Sequence, residues 1–112
     1  MAKVVITEFI DERALPALRA KHDVLYDAKL VDDAPRLLKE AASADAIIVR
    51  NRTQVRGQLL AALKQCRVVG RLGVGLDNID VPACEALGMQ VIPANATMAH
   101  ALPAYATSAA LQ

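Results

Sequence analysis

The chain has no tryptophan, and Phe9, Tyr26 and Tyr105 are its only aromatic residues among 112. No run of lysine and arginine is interleaved with aromatics, so bases of a nucleic acid find no stacking platform. A formal net charge of +1 gives no electrostatic case for nucleic acid or for an anionic membrane surface. Cysteine is scarce: Cys66 and Cys84 are the two, without metal-ligand spacing, a signal peptide or a long apolar span beside them. Reduced core thiols in a cytoplasmic chain are the expectation. His22 and His100 stand far apart, and neither has a partner at ligand spacing. Internal repeats and low-complexity linkers are also missing.

What is present suits one compact domain. The residues are 54% hydrophobic and 22% charged, with alanine supplying much of the apolar share. Residues 3–8 (K-V-V-I-T-E) form a β-branched run near the start and read as a buried strand. A helix is expected over residues 12–21, with Asp11 as a cap and Leu15 and Leu18 inward. Pro16 argues for a late start that places it in the first turn. Further strands are expected at residues 24–26, 45–49, 68–71 and 90–92. Helices are expected at 35–42, 55–64, 81–87 and 103–111, with Gly88 ending the fourth. Strand and helix alternate five times, which predicts a parallel sheet covered on both faces. With right-handed crossovers the economical arrangement is an α/β, flavodoxin-like three-layer sandwich of strand order 2-1-3-4-5.

The chain is organised around residues 68–80 (V-V-G-R-L-G-V-G-L-D-N-I-D), where a strand runs into a loop with Gly70, Gly73 and Gly75. Strand-to-helix loops hold ligands in open α/β sheets. Glycines expose backbone N–H groups that form a nest for a carboxylate or phosphate. The plainer alternative is a tight turn, with Asp80 capping the next helix. A dinucleotide fingerprint is rejected: Gly70, Gly73 and Gly75 give the reversed G-x-x-G-x-G. Reading from Gly73 puts Asn78 where the third glycine belongs, and no acidic residue follows about 20 positions on. The phosphate-binding G-x-x-x-x-G-K-[ST] is absent as well.

The same sheet edge carries Glu8 to Asp11, Arg50 to Thr53, and Ala94 to Met98. An arginine beside a nest of N–H groups can receive a small carboxylate. As an extended segment, residues 50–53 would turn Arg50 and Arg52 to one side and Asn51 and Thr53 to the other. Solvated surface arginines are the alternative. A phospho-acceptor receiver is excluded because arginine, not aspartate, ends the third strand at position 50. Flavin binding has little support, since Thr7-Glu8-Phe9-Ile10-Asp11 lacks glycine and has one hydroxyl. No catalytic set is complete.

The run V-V-G-R-L-G-V-G-L-D-N-I-D-V-P-A-C at residues 68–84, with A-I-I-V-R-N-R-T at 46–53, closely resembles the D-isomer-specific 2-hydroxyacid dehydrogenase family. The resemblance covers residues 1 to about 94 well, and the tail more loosely. It implies the first part of the family's substrate-binding domain, with a flavodoxin-like fold. It implies carboxylate binding by backbone N–H groups at Gly73, Val74 and Gly75, with Arg50 and Asn51 beside them. The family oxidises 2-hydroxy acids with NAD or NADP as acceptor, while a histidine takes the hydroxyl proton. The residues for that chemistry belong to a nucleotide-binding domain, expected to be absent from this chain. His100 does not match the catalytic histidine, so no catalytic residue, cofactor site or metal site is assigned.

The tail departs from the family pattern: Met98 stands where an asparagine is expected, and Leu102, Pro103 and Ala104 replace V-A-E. These changes suggest an excised or engineered half-protein whose shortened last helix folds back on the sheet. The expected function is a stand-alone substrate-binding domain, inactive by itself, with residual affinity for a small 2-hydroxy or 2-oxo acid. Two alternatives stay open: a fragment that regains activity with its cofactor domain, and a self-associating module forming a homodimer through an apolar face.

Overall fold

A computed structural model of the chain describes residues 2–10, 12–72 and 77–94. Five parallel strands form one sheet: β1 (Lys3–Ile6), β2 (Asp23–Tyr26), β3 (Ala46–Val49), β4 (Val68–Leu72) and β5 (Gln90–Ala94). Their order is β2-β1-β3-β4-β5, as the alternating pattern predicted. The register sets Val5 against Ile47 and Ile47 against Val69, so the middle of the sheet is a row of β-branched residues.

Alternation along the strands divides the core. Val5, Ile47, Val49 and Val69 face a cluster completed by Leu37 and Ala41 of helix α2 (Ala34–Ala41), Leu59 and Leu60 of α3 (Gly57–Ala62), and Cys84 of α4 (Val81–Ala86). Val4, Ile6, Ala46 and Ile48 face the opposite side, where Leu15 and Leu18 of α1 (Leu15–Lys21) cover them. Complete burial of each valine, leucine or isoleucine among them supplies about 1.5–3 kcal/mol, and strands buried on both faces read as continuous apolar runs.

Local signals set several boundaries. A 3-10 turn, Glu12–Ala14, precedes α1, so Pro16 sits in the first turn of a late-starting helix. The expected Asp11 cap lies outside the described residues. Asp33 caps α2 by accepting from Arg36 N at 3.3 Å, and Asp80 caps α4 by accepting from Ala83 N at 3.2 Å. Gly88 follows α4 with φ +82°, a left-handed exit that glycine adopts without strain. Pro93, which has no N–H to donate, lies in β5, which among the described residues is an edge strand paired with β4.

The first strand stops at Ile6, two residues short of the expected end at Glu8. Three more expectations need correction. Helix α3 starts at Gly57, not Val55, because Arg56 is extended (φ −161°, ψ 169°) and Gly57 has φ +54°. Val55 instead forms a parallel bridge with Ile79: Val55 N donates to Asn78 O at 2.8 Å and Asp80 N to Val55 O at 3.0 Å. The segment after β3 is bent and does not alternate as a strand would. Third, β4 and β5 continue to Leu72 and Ala94, beyond the expected ends. The expected last helix, residues 103–111, lies outside the described residues, as do Met98, His100 and the substitutions at 102–104.

Candidate functional site

The carboxyl ends of β1 and β3 meet around one buried acid. Two residues past β1, Glu8 is 4% exposed and receives three backbone N–H groups from the turn after β3. Arg50 N and Thr53 N donate to Oε2 at 2.8 and 2.9 Å, and Arg52 N donates to Oε1 at 3.1 Å. Burial by itself pushes the Glu8 carboxyl up. The Thr53 side chain and the Thr53, Arg50 and Arg52 amides outweigh it and hold the carboxyl below its usual range. The charged form is thereby kept inside the fold by backbone amides, and Arg52 is a cation that its charge also reaches. Beneath it, the Thr7 and Thr53 hydroxyls are 2.7 Å apart and both buried.

Asn78 closes the other side of the turn. Its Nδ2 donates to Arg50 O at 2.7 Å and to Thr53 O at 2.8 Å, while its Oδ1 accepts from Arg71 Nε at 3.0 Å. Arg71, buried at the end of β4, also donates from Nη1 to the Leu72 carbonyl. The Arg71–Asn78 bond joins residues that flank the glycine segment in sequence. Glu8, Asn78 and Arg71 therefore bind together three stretches far apart in the chain, each satisfying groups that burial would otherwise leave unpaired.

This frame brings Arg50 and Asn51 to the sheet edge, both exposed. The Arg50 guanidinium donates from Nη1 to Phe9 O at 3.3 Å, and its carbon lies 6.0 Å from the centre of the Phe9 ring. Arg52 does not share that position: it pairs with Asp32 through Nη1 at 3.4 Å and a second, shorter contact from Nη2. Both partners of that pair are exposed, so it adds little stability. The expected juxtaposition of the two arginines is thus corrected, because the turn folds over Glu8 instead of running straight. Gly73, Val74 and Gly75, the expected carboxylate nest, lie outside the described residues.

A groove of about 290 Å³ flanks the turn between α2 and α3, with Val31, Leu37, Leu38 and Leu59 as its apolar lining and Arg52 and Arg56 at its polar side. Sequence reasoning did not single it out. It also missed the roles of Glu8, Asn78 and Arg71. An acid directly after a fully apolar strand was the one available signal for Glu8, since a buried carboxylate needs donors.

The remaining reactive groups lie elsewhere. His22 immediately precedes β2, at the opposite end of the sheet from Arg50, and is 6% exposed, with neither ring nitrogen hydrogen-bonded among the described residues. Burial, with Lys21 and the amino terminus nearby, pushes its pKa down. Burial pushes the Cys66 thiol up to about 12 and raises that of Cys84 too. Among the described residues no group of three or more histidine, cysteine or acidic side chains could hold a metal ion. No helix among them is long and apolar enough to cross a membrane. The turn N–H groups at 50, 52 and 53 are already taken by Glu8, and the β1 exit carries a carboxylate where a pyrophosphate would need donors.

Residues 4–106 match the family described as D-isomer specific 2-hydroxyacid dehydrogenase, catalytic domain. The match runs past Met98 and the substitutions at 102–104. The chain is 53% identical to (S)-sulfolactate dehydrogenase of Chromohalobacter salexigens, over 84% of this chain and 30% of that protein. It is 37% identical to D-3-phosphoglycerate dehydrogenase of Synechocystis, over 99% of this chain and 20% of that protein. Among solved structures, phosphoglycerate oxidoreductase of Vibrio cholerae aligns with a TM-score of 0.68 and 26% identity, over 83% of this chain and 31% of that one. The 2-hydroxyacid dehydrogenase of Ketogulonicigenium vulgare aligns with a TM-score of 0.66 at 23% identity, over 80% of this chain and 28% of that one, and shares the fold. The chain thus spans about a third or less of each of these proteins.

Proposed function

Because the chain belongs to the D-isomer specific 2-hydroxyacid dehydrogenase family, matched over residues 4–106, we propose that it is a part that holds the substrate's carboxylate. Arg50 and Asn51 present donors at the sheet edge, and Gly73, Val74 and Gly75 supply backbone N–H groups to the same anion. The observation that carries this reading is the Glu8–Asn78 frame. It fixes the turn from both its N–H and its C=O sides and leaves the Arg50 guanidinium at the edge. A planar guanidinium matches a carboxylate in shape and charge. The ligand class is a small 2-hydroxy or 2-oxo acid.

By itself the 112-residue chain binds acid without turning it over. NAD or NADP, the acceptor in a complete dehydrogenase of this family, is held by residues other than those described. A cytoplasmic location accords with the reduced cysteines. The tail's unusual residues favour an engineered or excised stand-alone domain. The family match across that tail favours a second reading, a fragment whose activity returns with a cofactor-binding domain.

The test is a heteronuclear NMR titration of the purified chain with D-glycerate, sulfolactate and NAD, alongside an NAD-dependent oxidation assay with and without a separately expressed cofactor domain. Shifts at residues 50–53 and 77–78 with an acid, none with NAD, and no turnover by the chain alone are expected. A spectrum unmoved by both acids, or NAD-dependent turnover by the chain alone, contradicts the reading. Turnover only in the mixture selects the fragment.

A further inference from the structure

Glu8 and Phe9, adjacent residues at the exit of β1, converge on one target. Glu8 takes the backbone N–H of Arg50 at 2.8 Å and those of Arg52 and Thr53 beside it. Phe9 takes the side chain of the same arginine, its carbonyl accepting from Nη1 at 3.3 Å and its ring lying 6.0 Å from the guanidinium carbon. Phe9 is 61% exposed and belongs to neither core cluster, so burial does not explain a phenylalanine there. Glu8 is a buried carboxylate that takes three backbone amides of one turn, so its charge organises a loop.

We propose that Glu8 and Phe9 are positioning residues for Arg50: Glu8 fixes where its backbone stands, and Phe9 fixes where its guanidinium lies as an acid arrives. The proposal rests on the reading of Arg50 as an acid-binding residue. A free arginine side chain samples many rotamers, and ordering it on binding weakens affinity. An aromatic face and a carbonyl beneath the guanidinium remove part of that cost before the acid arrives. Three N–H donors on one carboxylate, the Arg50 amide among them, hold the Arg50 backbone in place.

The test measures two quantities on the 112-residue chain: the Arg50 Nε–H resonance without ligand, and the affinity for D-glycerate. Phe9→Leu is expected to move the resonance, by removing the ring current, and to weaken binding about threefold; Phe9→Tyr restores both. Glu8→Gln places an amide NH₂ against the turn's N–H groups. It is expected to move the amides of Arg50, Arg52 and Thr53 and to weaken binding about tenfold or more. Met89→Ala, a core deletion just before β5 at the opposite edge, lowers the unfolding midpoint and leaves the affinity unchanged.

An Arg50 resonance that stays in place in both Phe9→Leu and Glu8→Gln overturns the proposal. So does an affinity that Phe9→Leu leaves intact, or one that Met89→Ala reduces as much as Glu8→Gln does. If Glu8→Gln does not fold, the Phe9 pair decides. A native chain that ignores D-glycerate defeats the acid-binding reading itself, and the Arg50 resonance then judges the positioning.

Discussion

Asn78 donates from its side chain to the Thr53 carbonyl at 2.8 Å, across 25 residues of chain, and to the Arg50 carbonyl from the same nitrogen. One buried amide thereby closes a turn whose N–H groups are held by Glu8. Asn78→Ala would strand two carbonyls and the Nε of Arg71. At about 1–3 kcal/mol for each buried group left unpaired, partly relieved by water entry, a loss of roughly 3 kcal/mol is expected. Urea unfolding checks it. Asn78→Asp should also destabilise, because a carboxylate cannot donate to either carbonyl. A midpoint unchanged in both variants would show that the frame contributes nothing to stability.

That frame also marks where the sequence ceased to be legible. The β-branched runs at Val4 to Ile6 and Ala46 to Val49 announce buried strands, and Pro16, Asp80 and Gly88 mark helix ends by local chemistry. Strand order follows from alternation and crossover handedness. The Val55–Ile79 bridge could not be foreseen, because V-R-G-Q-L-L-A-A reads locally as a helix and only a partner 24 positions away pulls Val55 out. Glu8 and Arg50 are 42 residues apart, and no spacing rule pairs a carboxylate with amides that have yet to fold into a turn. The position of Arg50 and Asn51 at this edge is legible because topology alone puts the end of β3 there.

Acid should loosen the chain through Glu8. Its folded pKa lies below the ordinary 4.5, so its contribution is complete above that value and declines as pH falls through the folded one. Stability measured from pH 7 to pH 3 should drop in this window, and Glu8→Gln should start lower and flatten this component. A Glu8→Gln profile parallel to the native one would contradict the assignment.

His22 acts earlier on the same axis. Its folded pKa lies below the ordinary 6.5, so the unfolded chain takes up the proton first and stability declines as pH falls from 6.5 toward the folded value. His22→Leu removes this slope and relieves two buried nitrogens that have no hydrogen-bond partner among the described residues. It should raise the unfolding midpoint at pH 5 more than at pH 8. An equal change at the two pH values would place the effect in packing and not in titration.

The two thiols should be silent. With Cys66 pushed up to about 12 and Cys84 raised, both chiefly by burial, the folded chain disfavours the thiolate of each. Alkylation followed by mass spectrometry should show both unmodified over minutes and both modified after addition of urea. Rapid labelling of either in the native chain would contradict its burial.

The two strand-end arginines separate acid binding from stability most directly. Arg52 is committed to the exposed Asp32, whereas Arg50 stands over Phe9 at the edge. Arg52→Ala is expected to shift stability by less than about 1 kcal/mol and leave D-glycerate binding in place. Arg50→Ala should fold as the native chain does and lose the binding. The decisive measurement is therefore a D-glycerate titration of native, Arg50→Ala and Arg52→Ala chains, followed by amide shifts at residues 50–53 and 77–78. Saturable shifts in the native and Arg52→Ala chains, with none in Arg50→Ala, are predicted; equal shifts in all three would mean that the acid binds elsewhere and that this edge is only scaffold.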